Sequence, residues 1–362
     1  MPDKAPNTKV GILTSGGDCP GLNAVIRAIV RAGCGSNFDV VGIYDGWKGI
    51  IKENYVKLNT KAVAGIVNRG GTILGTSRFN PFQEEDENGN KIPSCEELLL
   101  KNIKKEGFDA IVSIGGEGSM HIAQKAHEIG VNVIGVPKTI DNDISGTDVT
   151  FGFDTAVSIA TEAIDRLHTT AESHHRVMIL EVMGRHTGWI ALHSGISGGA
   201  DVILLPEFPM KIDEVVAILK RRFDKGKLFS IVVVAEGAEY IEKEIYSSNE
   251  SMAENVKLDD FGRKRLGGIG NILAEELEKR SGYETRATIL GYVQRGGMPT
   301  AYDRMLGTRF GIYTVGMIKD KKFGRMCAKR GNEIIDIPIT EAINKLKTVP
   351  PEMYESAKVF FN

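Results

Sequence analysis

Short β-branched apolar runs alternate along this chain with stretches whose apolar residues recur at helical spacing. The runs fall at residues 9–13, 40–44, 110–114, 132–136, 177–182, 202–205 and 230–235. Most are apolar at successive positions, which predicts parallel strands buried on both faces. Helical spacing predicts helices at residues 22–30, 120–128, 156–167, 212–223 and 269–277. Strand then helix, repeated, predicts an α/β fold with doubly wound, Rossmann-like, three-layer domains and mostly parallel sheets.

Nearly every predicted strand ends in a glycine-containing or charged loop. TSGGDCPG, YDGWKG, IGGEGS and PKTIDND follow the first four, and VMGRHTGW, LLPEF and AEGAE repeat the plan in the second half. In open α/β sheets ligands bind at the carboxyl ends of the strands, so these loops mark where chemistry is expected. Residues 83–92, acidic and turn-rich, and 240–265, charged and weakly periodic, are expected to be surface excursions or lids.

Composition narrows the partners. At 362 residues the chain is long enough for two domains, and 42% hydrophobic with 25% charged residues is ordinary for a soluble globular protein. A formal net charge of -2 supplies no general attraction to nucleic acid or an anionic membrane, so neither is expected as a partner. The four cysteines, Cys19, Cys34, Cys95 and Cys327, show neither CxxC nor zinc-ligand spacing, which fits a reduced, cytoplasmic setting. The polar N-terminus has no secretory core, and no apolar run is long enough to span a bilayer.

PKTIDND carries the sharpest chemistry. Asp141 and Asp143 sit two apart beside Lys138, a set that suits a base, its support and a cation for phosphate oxygens; the same residues also suit an ordinary turn. Gly16 and Gly17 run from a strand into a helix, exposing backbone amides to phosphate, without the GxxxxGK[ST] or GxGxxG fingerprint. In IGGEGS, Gly115, Gly116 and Gly118 leave bare backbone, and Glu117 suits Mg²⁺ or simply the helix dipole. Arg78, Arg176, Arg185, Arg286 and Arg295 lie beside the ends of apolar runs, where guanidinium groups suit sugar or nucleotide phosphates.

The succession TSGGDCPGLNAVIR, YDGWKG, NRGGTILGTSRF, GGEGS, PKTIDND, MGRHTGW, ETRATILGYVQRGG and YDR resembles the 6-phosphofructokinase family, bacterial type, over most of residues 9–320. The resemblance implies transfer of a phosphoryl group from Mg²⁺-bound ATP to the 1-hydroxyl of fructose 6-phosphate. It makes Asp141 the proton acceptor, with Asp143, Arg185 and Lys138 as its catalytic company. It assigns Gly16, Arg78, Phe79, Gly116, Glu117, Gly118 and Ser119 to the nucleotide, with Glu117 at the metal. Thr139, Ile140, Asp141, Met183, Gly184, Arg185, Glu236, Tyr292, Val293, Gln294 and Arg295 would hold the sugar phosphate. Arg176 and Arg286 would reach a neighbouring subunit's sugar phosphate, implying a homodimer or homotetramer with shared sites. The implied donor domain is 1–152 plus about 294–344, and the implied sugar domain is 153–293 plus about 345–362.

Donor choice is written in two positions. In the family it resembles, a glycine at the position of Gly118 leaves room for an adenine nucleotide, whereas a lysine at the position of Lys138 is typical of relatives that use pyrophosphate, so the chain resembles the mixed-substrate branch. ATP is the expected donor and pyrophosphate the alternative. A catalytically silent sensor of nucleotides or sugar phosphates would keep the glycine loops and arginines but would have no need of Asp141. A dinucleotide oxidoreductase would need GxGxxG after the first strand, which is not there.

Overall fold

The computed structural model describes residues 7–83, 93–246 and 266–361. Of the two expected excursions, residues 84–92 and 247–265 lie outside the described residues. The chain opens with β1 (Thr8–Ser15), α1 (Leu22–Cys34), β2 (Phe38–Ile43), α2 (Trp47–Ile51), β3 (Tyr55–Leu58), α3 (Glu96–Glu106), β4 (Ala110–Gly115), α4 (Glu117–Glu128), β5 (Val133–Thr139) and β6 (Phe151–Gly152). It continues through α5 (Phe153–His174), β7 (Val177–Val182), α6 (Trp189–Ser197), β8 (Val202–Leu204), α7 (Ile212–Asp224), β9 (Ser230–Ala235), α8 (Tyr240–Tyr246), α9 (Ile269–Ser281) and β10 (Thr285–Ile289). A 3-10 turn at Gly291–Arg295 leads to α10 (Ala301–Lys319), β11 (Arg325–Arg330), β12 (Glu333–Pro338), α11 (Ile339–Ile343) and α12 (Pro351–Lys358).

These elements form two compact units. The first holds the described residues up to Ile140, with Ile144–Asp154 and Arg295–Leu346; the second holds Asp141–Asp143, Thr155–Gln294 and the chain from Lys347 onward. The three residues at the heart of PKTIDND therefore pack with the second unit, while Lys138 and Thr139 pack with the first.

In the first unit the strands run β12-β11-β5-β4-β1-β2-β3, with β6 alongside β5. Among the named strands of the described residues, only the β2–β3 and β11–β12 pairs are antiparallel. From β1 the chain moves one way to β2 and later returns to β1's other flank as β4, which places a topological switch point at the carboxyl ends of β1 and β4. One apolar cluster joins Leu13, Ile43, Ile111 and Val133 to Trp47, Leu99, Met120 and Ile339, side chains from α2, α3, α4 and α11. Burying each large side chain contributes roughly 1.5–3 kcal/mol, so this cluster anchors the helices that follow the strands.

The helix pair α1 and α10 depends on small residues. α1 buries Leu22, Val25, Ile26, Ile29 and Val30, the one-sided spacing of an amphipathic helix. α10 meets it through Gly307 and Gly311, where an added Cβ at 311 would lie 2.6 Å from Ala28 Cβ and 2.7 Å from the Val25 carbonyl oxygen. Thr300 caps α10, accepting a hydrogen bond from the Asp303 amide at 3.3 Å.

The second unit carries a fully parallel sheet in the order β10-β7-β9-β8. Its central strands, VMILEV and SIVVVA, are buried throughout, as continuous apolar runs require.

One expectation changes. The sequence pattern ends the fourth strand at residue 136 and puts PKTIDND in a loop, but β5 runs on to Thr139. The reason is β6, two residues too short to register in the sequence, which pairs Lys138 with Phe151 and Thr139 with Gly152. Lys138 is thereby a strand residue, only 4% exposed.

Gly311→Ala should destabilise the chain by about 1–3 kcal/mol, because the methyl group has nowhere to go between α1 and α10. A thermal or urea melt reads this directly, and an unchanged midpoint would show that the helices part without cost.

Candidate active site

The register of the first sheet levels three strand ends. Ser15 of β1 lies opposite Gly115 of β4, and Gly115 opposite Pro137 of β5. The residues just beyond these points, Gly16, Gly116 and Lys138, are therefore neighbours although far apart in sequence. Lys138 Nζ donates to the Gly17 carbonyl, and Gly17 lies against the Arg295 guanidinium, where an added Cβ would sit 2.7 Å from Nη1. Gly16 has φ +82°, which a glycine adopts without strain, and its Cβ position would be 3.3 Å from Ser119 Oγ. The first unit thus gathers Gly16, Gly17, Ser119, Lys138 and Arg295 around one turn.

Two further predicted residues border that turn. The Gly16 amide donates to the Ser77 carbonyl at 3.0 Å, bringing Arg78 and Phe79 alongside. Phe79 is also packed against the apolar cluster, so part of its role is structural. Glu117 opens α4, with its carboxylate 3.6 Å from His121 Nε2. Gly118 follows in the first helical turn, and a Cβ there would meet nothing within 4 Å. Gly115 is the opposite case, since its Cβ would strike Ser119 Cβ at 2.2 Å.

In the second unit Val182 of β7 lies opposite Ala235 of β9, so Met183 and Glu236 emerge side by side. A cavity of ≈ 310 Å³ opens there, lined by Glu181, Met183, Glu236, Gly267, Ile289 and Tyr292 among others. The Glu236 carboxylate accepts the Arg185 amide at 3.0 Å and a second hydrogen bond from the Gly184 amide, which stabilises the tight MGR turn. Gly237 is obligatory beside it, because a Cβ would lie 1.8 Å from the Arg185 carbonyl oxygen. Burial, followed by the nearby negative charge of Asp141, pushes the Glu236 carboxyl up to about 7, against those backbone bonds.

Asp141–Asp143 form a bend tied into this unit from both sides. Thr187 Oγ1 donates to the Asp141 carbonyl at 3.3 Å, and the Lys347 amide donates to the Asp143 carbonyl at 2.9 Å. Between them Asn142 takes φ +54°. Tyr292 and Val293 stand 70% and 63% exposed on the 3-10 turn, whereas Gln294 is buried. Thr139 and Ile140, also assigned to the sugar phosphate, are buried in the first unit.

Arg176 and Arg286 are not brought to the cavity. Arg176 precedes β7 and Arg286 is the second residue of β10, at the amino ends of parallel strands whose carboxyl ends form the cavity. Neither is among the residues that line the cavity. They share Glu284 instead, at 2.8 and 2.7 Å, and Arg286 also meets Glu278 at 3.0 Å.

Glu181 was not singled out from sequence, although one acid in the apolar run VMILEV is a visible signal. It is buried, lines the cavity, and accepts the amides of Gly268 at 2.9 Å and Gly270 at 2.8 Å, fixing the start of α9.

Residues 9–318 match the family described as phosphofructokinase. A pyrophosphate–fructose 6-phosphate 1-phosphotransferase from Amycolatopsis methanolica is 51% identical over 354 residues, covering 98% of this chain and 99% of its own. ATP-dependent 6-phosphofructokinase 3 of Streptomyces coelicolor is 52% identical over 351 residues, covering 97% of this chain and 99% of its own. Among solved structures, a phosphofructokinase from Saccharomyces cerevisiae has TM-score 0.76 at 30% identity over 98% of this chain, which spans about half, 47%, of that longer chain. A pyrophosphate-dependent phosphofructokinase from Marinobacter aquaeolei has TM-score 0.78 at 21% identity, covering 98% of this chain and 90% of its own, and shares the fold.

The raised Glu236 pKa has a stability consequence. Between its ordinary 4.5 and about 7, the folded chain keeps a proton that the unfolded chain has released. Stability conferred by that proton is fully present below the lower value, falls as pH rises through the window, and levels off above it. Glu236→Gln keeps an acceptor for the Arg185 amide and removes the titration. Urea unfolding at pH 5.5 and 8 should show the native chain losing on the order of 2 kcal/mol more than the variant between the two pH values; an unaltered slope would place the titration elsewhere.

Proposed function

Because the chain belongs to the phosphofructokinase family, we propose that it transfers a phosphoryl group from Mg-ATP to the 1-hydroxyl of fructose 6-phosphate. The first unit holds the donor: the bare backbone at Gly16, Gly17 and Gly116 faces its phosphates, Ser119 and Arg78 flank them, and Lys138 supplies positive charge. The second unit holds the sugar phosphate, with Met183, Gly184, Arg185, Glu236 and Tyr292 at the cavity. Asp141 takes the proton of the attacking hydroxyl, and Asp143 supports it electrostatically. Such a reaction needs positioning and charge stabilisation rather than covalent participation, and both units offer those resources.

The observation that carries ATP as donor is the open space at Gly118. Its backbone does not require glycine, and its packing would accept a side chain. An adenine nucleotide needs that room where pyrophosphate does not. Pyrophosphate is the second reading, favoured by Lys138, whose buried ammonium sits at the phosphate turn, and by the activity named for the Amycolatopsis relative.

Magnesium suits the residues present. No group of three or more His, Cys, Asp or Glu side chains arranged for a metal occurs among the described residues. That agrees with an ion that arrives on the phosphates and takes one or two carboxylates plus water. Glu117, partly exposed at the start of α4, is the carboxylate that would hold it. When bound, the ion neutralises charge on the donor.

Self-association with shared sites is part of the same reading. Neither Arg176 nor Arg286 lines its own chain's cavity, β10 has a sheet neighbour on one side only among the described residues, and Ile289, Tyr292 and Val293 are exposed apolar groups. A homodimer or homotetramer in which these arginines serve a neighbouring copy uses all three facts. No helix among the described residues is long and apolar enough to cross a membrane, and a cytoplasmic enzyme fits the reduced cysteines, all four of which are free.

Two assays test this reading. In a coupled assay, kcat/KM should be higher with Mg-ATP than with Mg-pyrophosphate, and Gly118→Asp should shift that ratio at least tenfold toward pyrophosphate without lowering the melting temperature. Faster turnover of the native enzyme with pyrophosphate would establish the second reading. Asp141→Ala should cut kcat by roughly 10²–10⁴-fold while fructose 6-phosphate still binds; unchanged turnover would remove Asp141 from the chemistry.

A further inference from the structure

The bend at Asp141–Asp143 has a support that no motif contains. Asn142 is 3% exposed and left-handed, with φ +54°, a conformation that asparagine tolerates better than other side chains bar glycine. Its side-chain oxygen accepts a hydrogen bond from Lys347 Nζ at 2.9 Å. Lys347 also uses its main chain, donating its amide to the Asp143 carbonyl at 2.9 Å and accepting Trp189 Nε1 at 2.8 Å. The ammonium lies 5.2 Å from the centre of the Trp189 ring, so an aromatic face and an amide oxygen fix the position of one cation. Two residues on, the Val349 amide donates to Glu207 Oε1 at 3.1 Å, and the same carboxylate accepts the Gly188 amide at 3.0 Å.

We propose that Lys347 is a positioning residue for the reaction: it braces the left-handed bend at Asn142 and so sets the backbone that carries Asp141 and Asp143. This rests on the reading of Asp141 as the base. Lysine is suited to the place because its aliphatic stem covers Trp189 while its head satisfies a buried amide, a division that a neutral apolar side chain cannot make. Lys347 is some 200 positions from the carboxylates in sequence, yet it bonds the bend at two points, its side chain on Asn142 and its backbone amide on the Asp143 carbonyl. It is not itself assigned to a reactant, so its loss should appear in kcat and not in substrate affinity.

The test is a cycle of variants assayed for kcat and for KM toward fructose 6-phosphate. Lys347→Met, which keeps the stem, should lower kcat at least tenfold with KM changed less than twofold. Asn142→Gly adopts the left-handed bend without support, so adding K347M to it should cost less than threefold. Equal losses in both backgrounds, or a rise in KM at constant kcat, would overturn the proposal. Should K347M fail to fold, Asn142→Ala deletes the bond from its other end, and it should lose kcat at least fivefold more than N142G; equal activity of the two would also overturn it. Asp141→Ala run in parallel separates the two levels: if D141A turns over normally the base assignment fails, whereas if D141A is inactive and K347M is fully active only the brace fails.

Discussion

Parallel strand register is the constraint on which this chain's chemistry depends. Ser15, Gly115 and Pro137 are held level by ladder hydrogen bonds, as are Val182 and Ala235. Every principal group then lies a residue or two beyond a levelled end: Gly16, Gly116, Lys138, Met183, Glu236. A slip of one residue would turn each buried side chain to the opposite face, so the apolar interior that fixes the register also fixes the site. The same burial that holds the strands removes water from their ends, which is why Glu236 retains its proton to an unusual pH.

Much of this was legible in the sequence, for physical reasons. Strands buried on both faces leave continuous apolar runs, and 177–182 and 230–235 coincide with β7 and β9. Helices with one apolar stripe were equally plain, as at α7. α10 escaped because Gly307, Gly311 and Gly316 interrupt its pattern, and those at 307 and 311 are the residues that let it approach α1. The signal that weakens the helix on paper is the feature that packs it.

The candidate site residues divide along the same line. Those in glycine turns announced themselves, because a turn of tight or left-handed backbone has an unusual local composition. Glu181 and Lys347 act through partners 87 and 205 positions away, and no local pattern encodes such a partner. PKTIDND lies between these cases. Its residues were conspicuous, but its division into a strand half, made rigid by β6, and a bend held by Lys347 follows only from long-range pairing.

Gly118 and Lys138 also differ in how freely evolution can alter them. Lys138 is embedded in a paired strand with its ammonium on the Gly17 carbonyl, so replacing it disturbs the turn around which the first unit's site is built. Gly118 touches no neighbour that a new side chain would displace. Variation at that position is nearly invisible to folding and is exposed almost solely to selection on what binds. A side chain can therefore be added at Gly118 at little cost to the fold, whereas a change at Lys138 is felt by the whole turn.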